Sequence, residues 1–282
     1  MQELGFEISE TKLVPPSHEV VCLGILINTR QKIIKIPAEK LAEIKNVCKQ
    51  WTTKSHATKT QLQSLLGCLL YITKCIKPAR YFLNRMFQLL RENHLKSKFT
   101  LTEDFSKDLS WFNVFLDQFN GTTYYNCQKP EYIVALDASL KALGGVFNEQ
   151  VYTIQIPKQC DHFKIVHLEA LNVLVALKIW GNFWKDKIIE IKCDNLAVVE
   201  VLRSGRARDQ LLASIARNVW LVTAIFNITL IVNHIPGIKN NTADLLSRWS
   251  QSHTDFEKLA CLVPNYVWVQ THEDLLKLNT YI

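Results

Sequence analysis

From Tyr132 onward the hydrophobic pattern keeps switching between a strand period and a helix period, and this switching constrains the chain more than any other feature. Tyr132 to Leu136 reads as a strand, Gly144-Gly145 as a hairpin turn, and Val151 to Ile156 as a further strand. Leu168, Leu171, Leu174, Val175 and Ile179 make a helical stripe. Ile188 to Cys193 is apolar enough for a central parallel strand. A helical stretch from Gln210 to Phe226 comes next, then a strand from Ile228 to Val232 and a short helix from Thr242 to Trp249. The order β-β-β-α-β-α-β-α predicts a mixed sheet covered by helices.

Upstream the pattern is different. Residues 1–36 read as strands, with a β-rich run from Val20 to Ile27 pairing with Gln31 to Ile36 across a turn at Asn28 to Arg30. Pro37 opens a helix whose stripe is Leu41, Ile44, Cys48 and Trp51. Thr58 and Gln61 form a capping-box signal before Leu62, Leu65, Leu66 and Leu69. Pro78 starts a third helix with Phe82, Leu83, Phe87 and Leu90. A fourth stripe holds Phe105, Leu109, Phe112, Leu116 and Phe119 and ends at Asn120-Gly121.

Charge divides the chain in a similar way. Arg30 to Lys98 holds 15 Lys and Arg against three acids, a net +12, while the whole chain carries +7 and the remainder −5. A basic segment beside an acidic one points to a polyanion partner for the first and to metal carboxylates in the second. Lys45, Lys49, Lys59, Lys74 and Arg80 are candidate phosphate contacts, with Trp51, Tyr71 and Tyr81 as stacking platforms. The competing reading is that the charges only solvate amphipathic helices and the aromatics are core.

With 48% hydrophobic and 21% charged residues the composition is that of a soluble globular protein. The longest uncharged apolar stretch, Val219 to Val232, falls short of the roughly 20 residues a membrane span needs. The first 20 residues lack the pattern of a signal peptide. Eight cysteines form neither a CxxC pair nor a Cys/His cluster with zinc spacing. The expectation is an intracellular, reducing compartment, with no structural metal and no membrane partner.

Four acids fall at informative places. Asp137 lies just past a strand in DASLKALGG, Glu169 on a helix in HLEALNV, Asp194 at a strand end in IKCDNLAVV, and Asp244 at a helix start in NHIPGIKNNTADLLSR. Ligands collect at the carboxyl ends of parallel strands, where Asp137 and Asp194 sit. A helix crossing over the first strand brings Glu169 to the same point. Two carboxylates about 4 Å apart repel by about 4 kcal/mol at an effective dielectric of 20, and divalent cations are the usual remedy. Carboxylate oxygens suit Mg²⁺ or Mn²⁺ rather than zinc. Two such ions about 3.5–4 Å apart activate a water and stabilise the leaving oxygen of a phosphodiester. Taken singly, Asp194 also reads as a helix cap, Glu169 as a solvated helix residue and Asp244 as a first-turn acid favoured by the helix dipole. Their joint order within the element pattern favours the metal site.

DAS…GG, LE on a helix, CDN, and HIPG…NTADLLSR together resemble the ribonuclease H domain of retroelement polyproteins. The likeness is greatest to tyrosine-recombinase-bearing (DIRS-type) retrotransposons, with hepadnaviral polymerases more distant. Upstream, LGFEIS, the Lys12 of SETKLVPPS, CLGILI and TKTQLQSLLGCLLYI look like the end of a reverse-transcriptase palm and the thumb-like helices after it. DLSWFNVFLDQFNG resembles the connector that precedes the nuclease. The resemblance covers about residues 3–249. It implies an α/β fold: a ribonuclease H-like mixed five-stranded sheet with flanking helices, preceded by a small helical thumb-like unit and a short β remnant of a polymerase palm. The implied division is 1–36 for the end of the palm (a β hairpin), 37–95 for the thumb-like unit, 96–130 for the connector helix, 131–250 for the ribonuclease H-like domain and 251–282 for a C-terminal tail of no assigned place.

The activity implied is hydrolysis of the RNA strand of an RNA–DNA hybrid by two Mg²⁺ ions, with Mn²⁺ as a substitute. Asp137, Glu169, Asp194 and Asp244 match the family's catalytic, metal-binding carboxylates. Asn195 and Ser139 match recurrent neighbours of those acids. His234 matches the histidine of HxPG and is either an accessory group or a strand-end residue with a structural hydrogen bond. The loop from Gly237 to Asn241 lacks the histidine that many ribonucleases H carry before the fourth acid. No YxDD-type pair, DD dipeptide or HxxR box occurs, so no DNA synthesis is expected from this chain alone. It reads as the C-terminal part of a retrotransposon polymerase whose partners are nucleic acid and the missing polymerase portion. The alternative is a non-catalytic or domesticated nucleic-acid-binding remnant. Proofreading-type exonucleases start with DxE, unlike Asp137-Ala138-Ser139, and integrase-type nucleases place their glutamate last, so both are disfavoured.

Overall fold

Leu23 and Gly24, at φ 48° and 80°, fold the first β-rich run back on itself. This is seen in the computed structural model, which describes residues 15–118, 122–124, 129–205 and 207–278. Val20 to Ile27 is therefore a tight hairpin of β1 (Glu19–Cys22) and β2 (Ile25–Asn28), not one strand. Glycine tolerates that left-handed backbone, and the Tyr71 hydroxyl donates to the Gly24 carbonyl at 2.5 Å. β3 (Ile33–Lys35) pairs with β2, and β6 (Thr122–Tyr124) later pairs with β3, giving four antiparallel strands where a single hairpin was expected. LGFEIS, Lys12, Phe119, Asn120-Gly121 and Cys127 lie outside the described residues.

Between β3 and β6 lies the helical unit. α1 (Ala38–Trp51) follows Pro37 and buries Ile44, Cys48 and Trp51. β4 (His56–Thr58) leads into α2 (Lys59–Ile72), where both reciprocal bonds of the Thr58/Gln61 capping box form. The segment around Pro78 is 3₁₀ over Lys77–Leu83 before it becomes α3 (Asn84–Glu92). β5 (Lys98–Thr100) pairs with β4, and α4 (Glu103–Gln118) buries Phe105, Leu109, Phe112 and Leu116. Trp111 of α4 stacks on Phe82 with ring centroids 3.7 Å apart. Across the junction, the Arg217 guanidinium lies 5.3 Å from the centroid of the same Phe82 ring. A single hydrophobic core joins this unit to the next.

The second unit runs β7 (Tyr132–Ala138), β8 (Ala142–Phe147), β9 (Gln150–Gln155), α5 (Ile165–Trp180), β10 (Ile188–Cys193), α6 (Leu196–Ser204), α7 (Gln210–Ile225), β11 (Thr229–His234), α8 (Asn241–Ser247), α9 (His253–Leu262) and β12 (Val267–Trp268). Its sheet has the order β11-β10-β7-β8-β9-β12, with β7, β10 and β11 parallel and β7-β8-β9 an antiparallel meander. This is the expected mixed α/β architecture of a sheet with flanking helices, with a sixth strand supplied by the tail.

Three local expectations are corrected. Asp137 lies inside β7, opposite Gly144, because the antiparallel ladder continues to Ala138. Gly144 and Gly145 lie within β8, and the turn falls at residues 139–141. The stretch between β10 and β11 holds two helices. α6 is capped by Asn195, whose side chain accepts from the N–H groups of Ala197 and Val198, and it ends at Gly205 with φ 73°. Among the described residues no helix is long and apolar enough to cross a membrane, and the seven described cysteines are free.

Candidate active site

β7 pairs with β10 only as far as Ala135, whereas its other edge stays paired with β8 to Ala138. Beyond Ala135 the backbone groups on the β10 side need other partners. Asn240, before α8, donates from Nδ2 to the Leu136 carbonyl at 2.8 Å, and the Ala138 N–H donates to Glu169 Oε1 at 3.1 Å. On the other edge, Asn172 Nδ2 donates to the Asp137 and Gly144 carbonyls at 2.7 and 2.8 Å. The Tyr152 hydroxyl donates to Asn172 Oδ1 at 2.6 Å. The Ser247 hydroxyl of α8 donates to Asp137 Oδ2 at 2.5 Å. The end of β7 is thus braced by α5 and α8, and Asp137 is fixed in backbone and side chain.

Glu169 faces this end from α5 and is buried. Asp194 follows β10 and is half-buried, and its carbonyl accepts from His234 Nε2 at 3.1 Å. The His234 ring therefore anchors the strand end that carries Asp194. Asp244 stands in the first turn of α8, with Oδ1 accepting from Arg248 Nε at 2.7 Å. Ser139 donates to the Ser247 carbonyl at 2.6 Å, tying the turn after β7 to α8.

The four acids share one electrostatic field. Burial raises Asp137 to about 6, the Ser247 hydrogen bond opposes the rise, and the charges of Asp194 and Asp244 add to it. Burial raises Glu169 to about 9, reinforced by Asp137 and Asp194 and opposed by the Ala138 N–H. All four predicted carboxylates are brought together.

Glu169, Cys193 and Asp194 each offer a ligand atom within 4.8 Å of the others. Burial pushes the Cys193 thiol well up, and its sulfur accepts the Asn195 N–H at 3.4 Å. The donors that remain are carboxylate oxygens whose charges burial and mutual repulsion penalise. That set fits a hard divalent cation.

Asn172, Asn240 and Ser247 escaped the sequence reading. Asn172 and Ser247 each follow an acid by three residues on the same helix, the spacing that puts two side chains on one face. Gly144 is equally specific. A Cβ there would collide with the Ser247 backbone nitrogen and lie 2.7 Å from the Ala243 oxygen and the Leu246 carbonyl carbon. Gly144→Ala should therefore lift α8, cost about 1–3 kcal/mol in a denaturant melt, and slow any reaction that needs Asp244 by tenfold or more. Wild-type values in both measurements would show that α8 does not depend on this contact.

On the helical unit, Lys49, Lys59, Lys74 and Arg80 are exposed, while Lys45 lies 3.6 Å from Asp117. Two of the three aromatics are core, correcting the stacking expectation. Trp51 is buried against Phe105, and the buried Tyr81 donates its hydroxyl to the Val201 carbonyl. Their rings fill the space under α4 and α7 instead of facing solvent.

No protein-family model matches the chain, and no curated protein does. Among solved structures the chain is similar to ribonuclease H1 from the halophilic archaeon Halobacterium salinarum NRC-1, at 22% identity and TM-score 0.34, over 41% of this chain and 92% of that one. It is similar to foamy viral protease-reverse transcriptase in complex with RNA/DNA hybrid, at 14% identity and TM-score 0.32, over 77% of this chain and 29% of that one. The same protein in complex with double-stranded DNA matches at 14% identity and TM-score 0.34, over 78% of this chain and 45% of that one. The chain thus spans less than half the length of the foamy viral protein it resembles.

Proposed function

We propose that this chain is a metal-dependent nuclease of the ribonuclease H type, hydrolysing the RNA strand of RNA–DNA hybrids as the C-terminal part of a retroelement polymerase. One observation supports the reading above the others: Asp137, Glu169, Asp194 and Asp244, from four separate elements, meet at one end of the β7–β10 pair. Clustering such charges is unfavourable without cations, and structural stability alone gives no reason to keep it.

Asp137, Glu169, Asp194 and Asp244 would hold the ions, the first two buried and the last two partly exposed. When bound, two Mg²⁺ or Mn²⁺ ions supply an activated water and charge stabilisation at the scissile phosphodiester. The chain's own groups do the positioning. Ser247 and Asn172 fix Asp137, the Ala138 N–H orients Glu169, and His234 secures the backbone of Asp194. His234 is engaged with a carbonyl, which supports a structural role for it. Lys49, Lys59, Lys74 and Arg80 present unburied positive charge for the hybrid's phosphates, and Lys45 contributes less because Asp117 faces it. The polymerase portion is a further partner in this reading.

The test is cleavage of a hybrid labelled on its RNA strand, with Mg²⁺, with Mn²⁺ and with EDTA. Internal cuts in the RNA are expected with either metal and none with EDTA, while double-stranded DNA stays intact. Binding without cleavage under both metals would establish the non-catalytic remnant instead.

A further inference from the structure

A cleft of about 1140 Å³ separates the α3 side of the helical unit from the corner between α6 and α7. Arg80, Arg85 and Arg91 line it from one unit, Arg208 and Arg217 from the other, and Asp104 is the one acid among the described residues of its wall. The two inner arginines are built into the junction. Arg217 is 5% exposed and pairs with the fully buried Asp108, and Arg85 reaches Asp104 and Asp108 at 3.1 and 3.7 Å. Arg217 Nε is buried without a hydrogen-bond partner among the described residues, an expensive state for a cation unless something else meets it. Arg80, Arg91 and Arg208 are exposed, and none of them forms an ion pair among the described residues.

The cleft also has a fixed relation to the carboxylates. α6 begins at Asn195, beside Asp194, and ends at Gly205 in the cleft wall. Nine helical residues at 1.5 Å each place the two ends roughly 13 Å apart. At 3.4 Å of helix axis per nucleotide, that is about four base steps. A second link runs through α7, whose cap Asp209 lies 3.0 Å from His167 Nε2, two residues before Glu169.

We propose that this cleft binds the sugar–phosphate backbone of the same nucleic acid whose RNA strand is cut at the carboxylates, gripping it about four base steps away. The assignment rests on the nuclease reading for what is cut, but binding in the cleft does not require cutting. Guanidinium forks match phosphate oxygens two at a time. The three unpaired arginines come from both units, so an extended polyanion engages all of them at once. A strand threads a cleft between two units, whereas a folded acidic protein meets only its rim.

The test uses the full chain and a fluorescein-labelled RNA–DNA hybrid in EDTA, with affinity measured across salt concentrations. Arg80→Ala, Arg91→Ala and Arg208→Ala are exposed changes, and thermal melts check folding. Each should lower the log–log salt slope by about 0.9, and the triple variant by two or more, with affinity near 0.1 M salt falling at least tenfold. With Mg²⁺ the triple variant should show a raised KM and a kcat close to wild type. An unchanged slope in the triple variant, or in all three single variants if the triple does not fold, overturns the proposal. So does a poly-glutamate peptide that loses affinity for the variants while the hybrid does not, which would assign the cleft to an acidic protein. Absence of cleavage by the wild-type protein bears on the nuclease reading alone, because the binding arm contains no metal.

Discussion

Asp137→Asn is expected to abolish hybrid cleavage and at the same time to raise the melting temperature of the metal-free protein. Asparagine keeps the volume of the side chain and keeps an oxygen to accept from Ser247, which bonds Asp137 Oδ2 at 2.5 Å. It removes the charge that Asp194 and Asp244 oppose and that helps push Glu169 up. The stability gained at neutral pH should be about 1–3 kcal/mol, or several degrees in melting temperature. The loss of cleavage should be about a thousand-fold or more, roughly 4 kcal/mol of barrier. Single-turnover cleavage and calorimetry in EDTA give the two readouts. A variant that cleaves at near wild-type rate would remove Asp137 from the site, and one that melts lower would show that its charge is not under strain.

Metal-free stability should fall steeply as pH rises, and divalent cations should flatten that fall. Asp137 and Glu169 are acids raised in the folded state, to about 6 and about 9. The folded protein therefore holds their protons more tightly than the unfolded chain does. Below about pH 4 both states are protonated and neither group penalises folding. As pH rises from there, the unfolded chain ionises first and gains on the folded state until about pH 6 for Asp137 and about pH 9 for Glu169. The Asp137 share is about 3 kcal/mol, and the Glu169 share is larger in the same direction. Melts in EDTA at pH 5 and pH 8.5 should differ by several degrees more in wild type than in Asp137→Asn. Mg²⁺ or Mn²⁺ binds the ionised form, so it should stabilise more at the higher pH and release protons on binding. Melting in EDTA with the same pH dependence in both proteins would contradict the buried, mutually repelling arrangement.

What could be read from the residues was what neighbours in sequence decide. Thr58 and Gln61 announced α2 because a capping box is closed within four residues. Ile188 to Cys193 announced β10 because a strand buried on both faces has to be apolar throughout. The acids were legible from their order along the elements. α6 was missed because nine residues give only about two and a half turns of periodicity, although Asn195 and Gly205 marked both of its ends. Gly144-Gly145 was read as a turn because glycine usually punctuates one. Here the missing Cβ atoms admit α8, about a hundred residues along the chain, at Gly144 and the ring of the cross-strand neighbour Tyr152 at Gly145. The Asp108–Arg217 pair joins residues 109 positions apart, and no local pattern encodes such a contact.

β12 contributes only two residues to the sheet, yet they close one of its edges. The Val267 N–H donates to the Glu149 carbonyl at 2.7 Å, and the Val269 N–H to the Val151 carbonyl at 2.9 Å. These bonds occupy the outer edge of β9, next to a small apolar cluster of Val151, Leu246, Trp249, Leu259 and Val263. An uncovered edge of that kind offers a row of unpaired amides and carbonyls to any identical edge nearby, and self-association follows. The residues after 250 therefore cover that edge: a unit trimmed to its four carboxylates and nearest helices is expected to keep their geometry and to gain an open strand edge, which sedimentation of the trimmed and full-length chains would reveal.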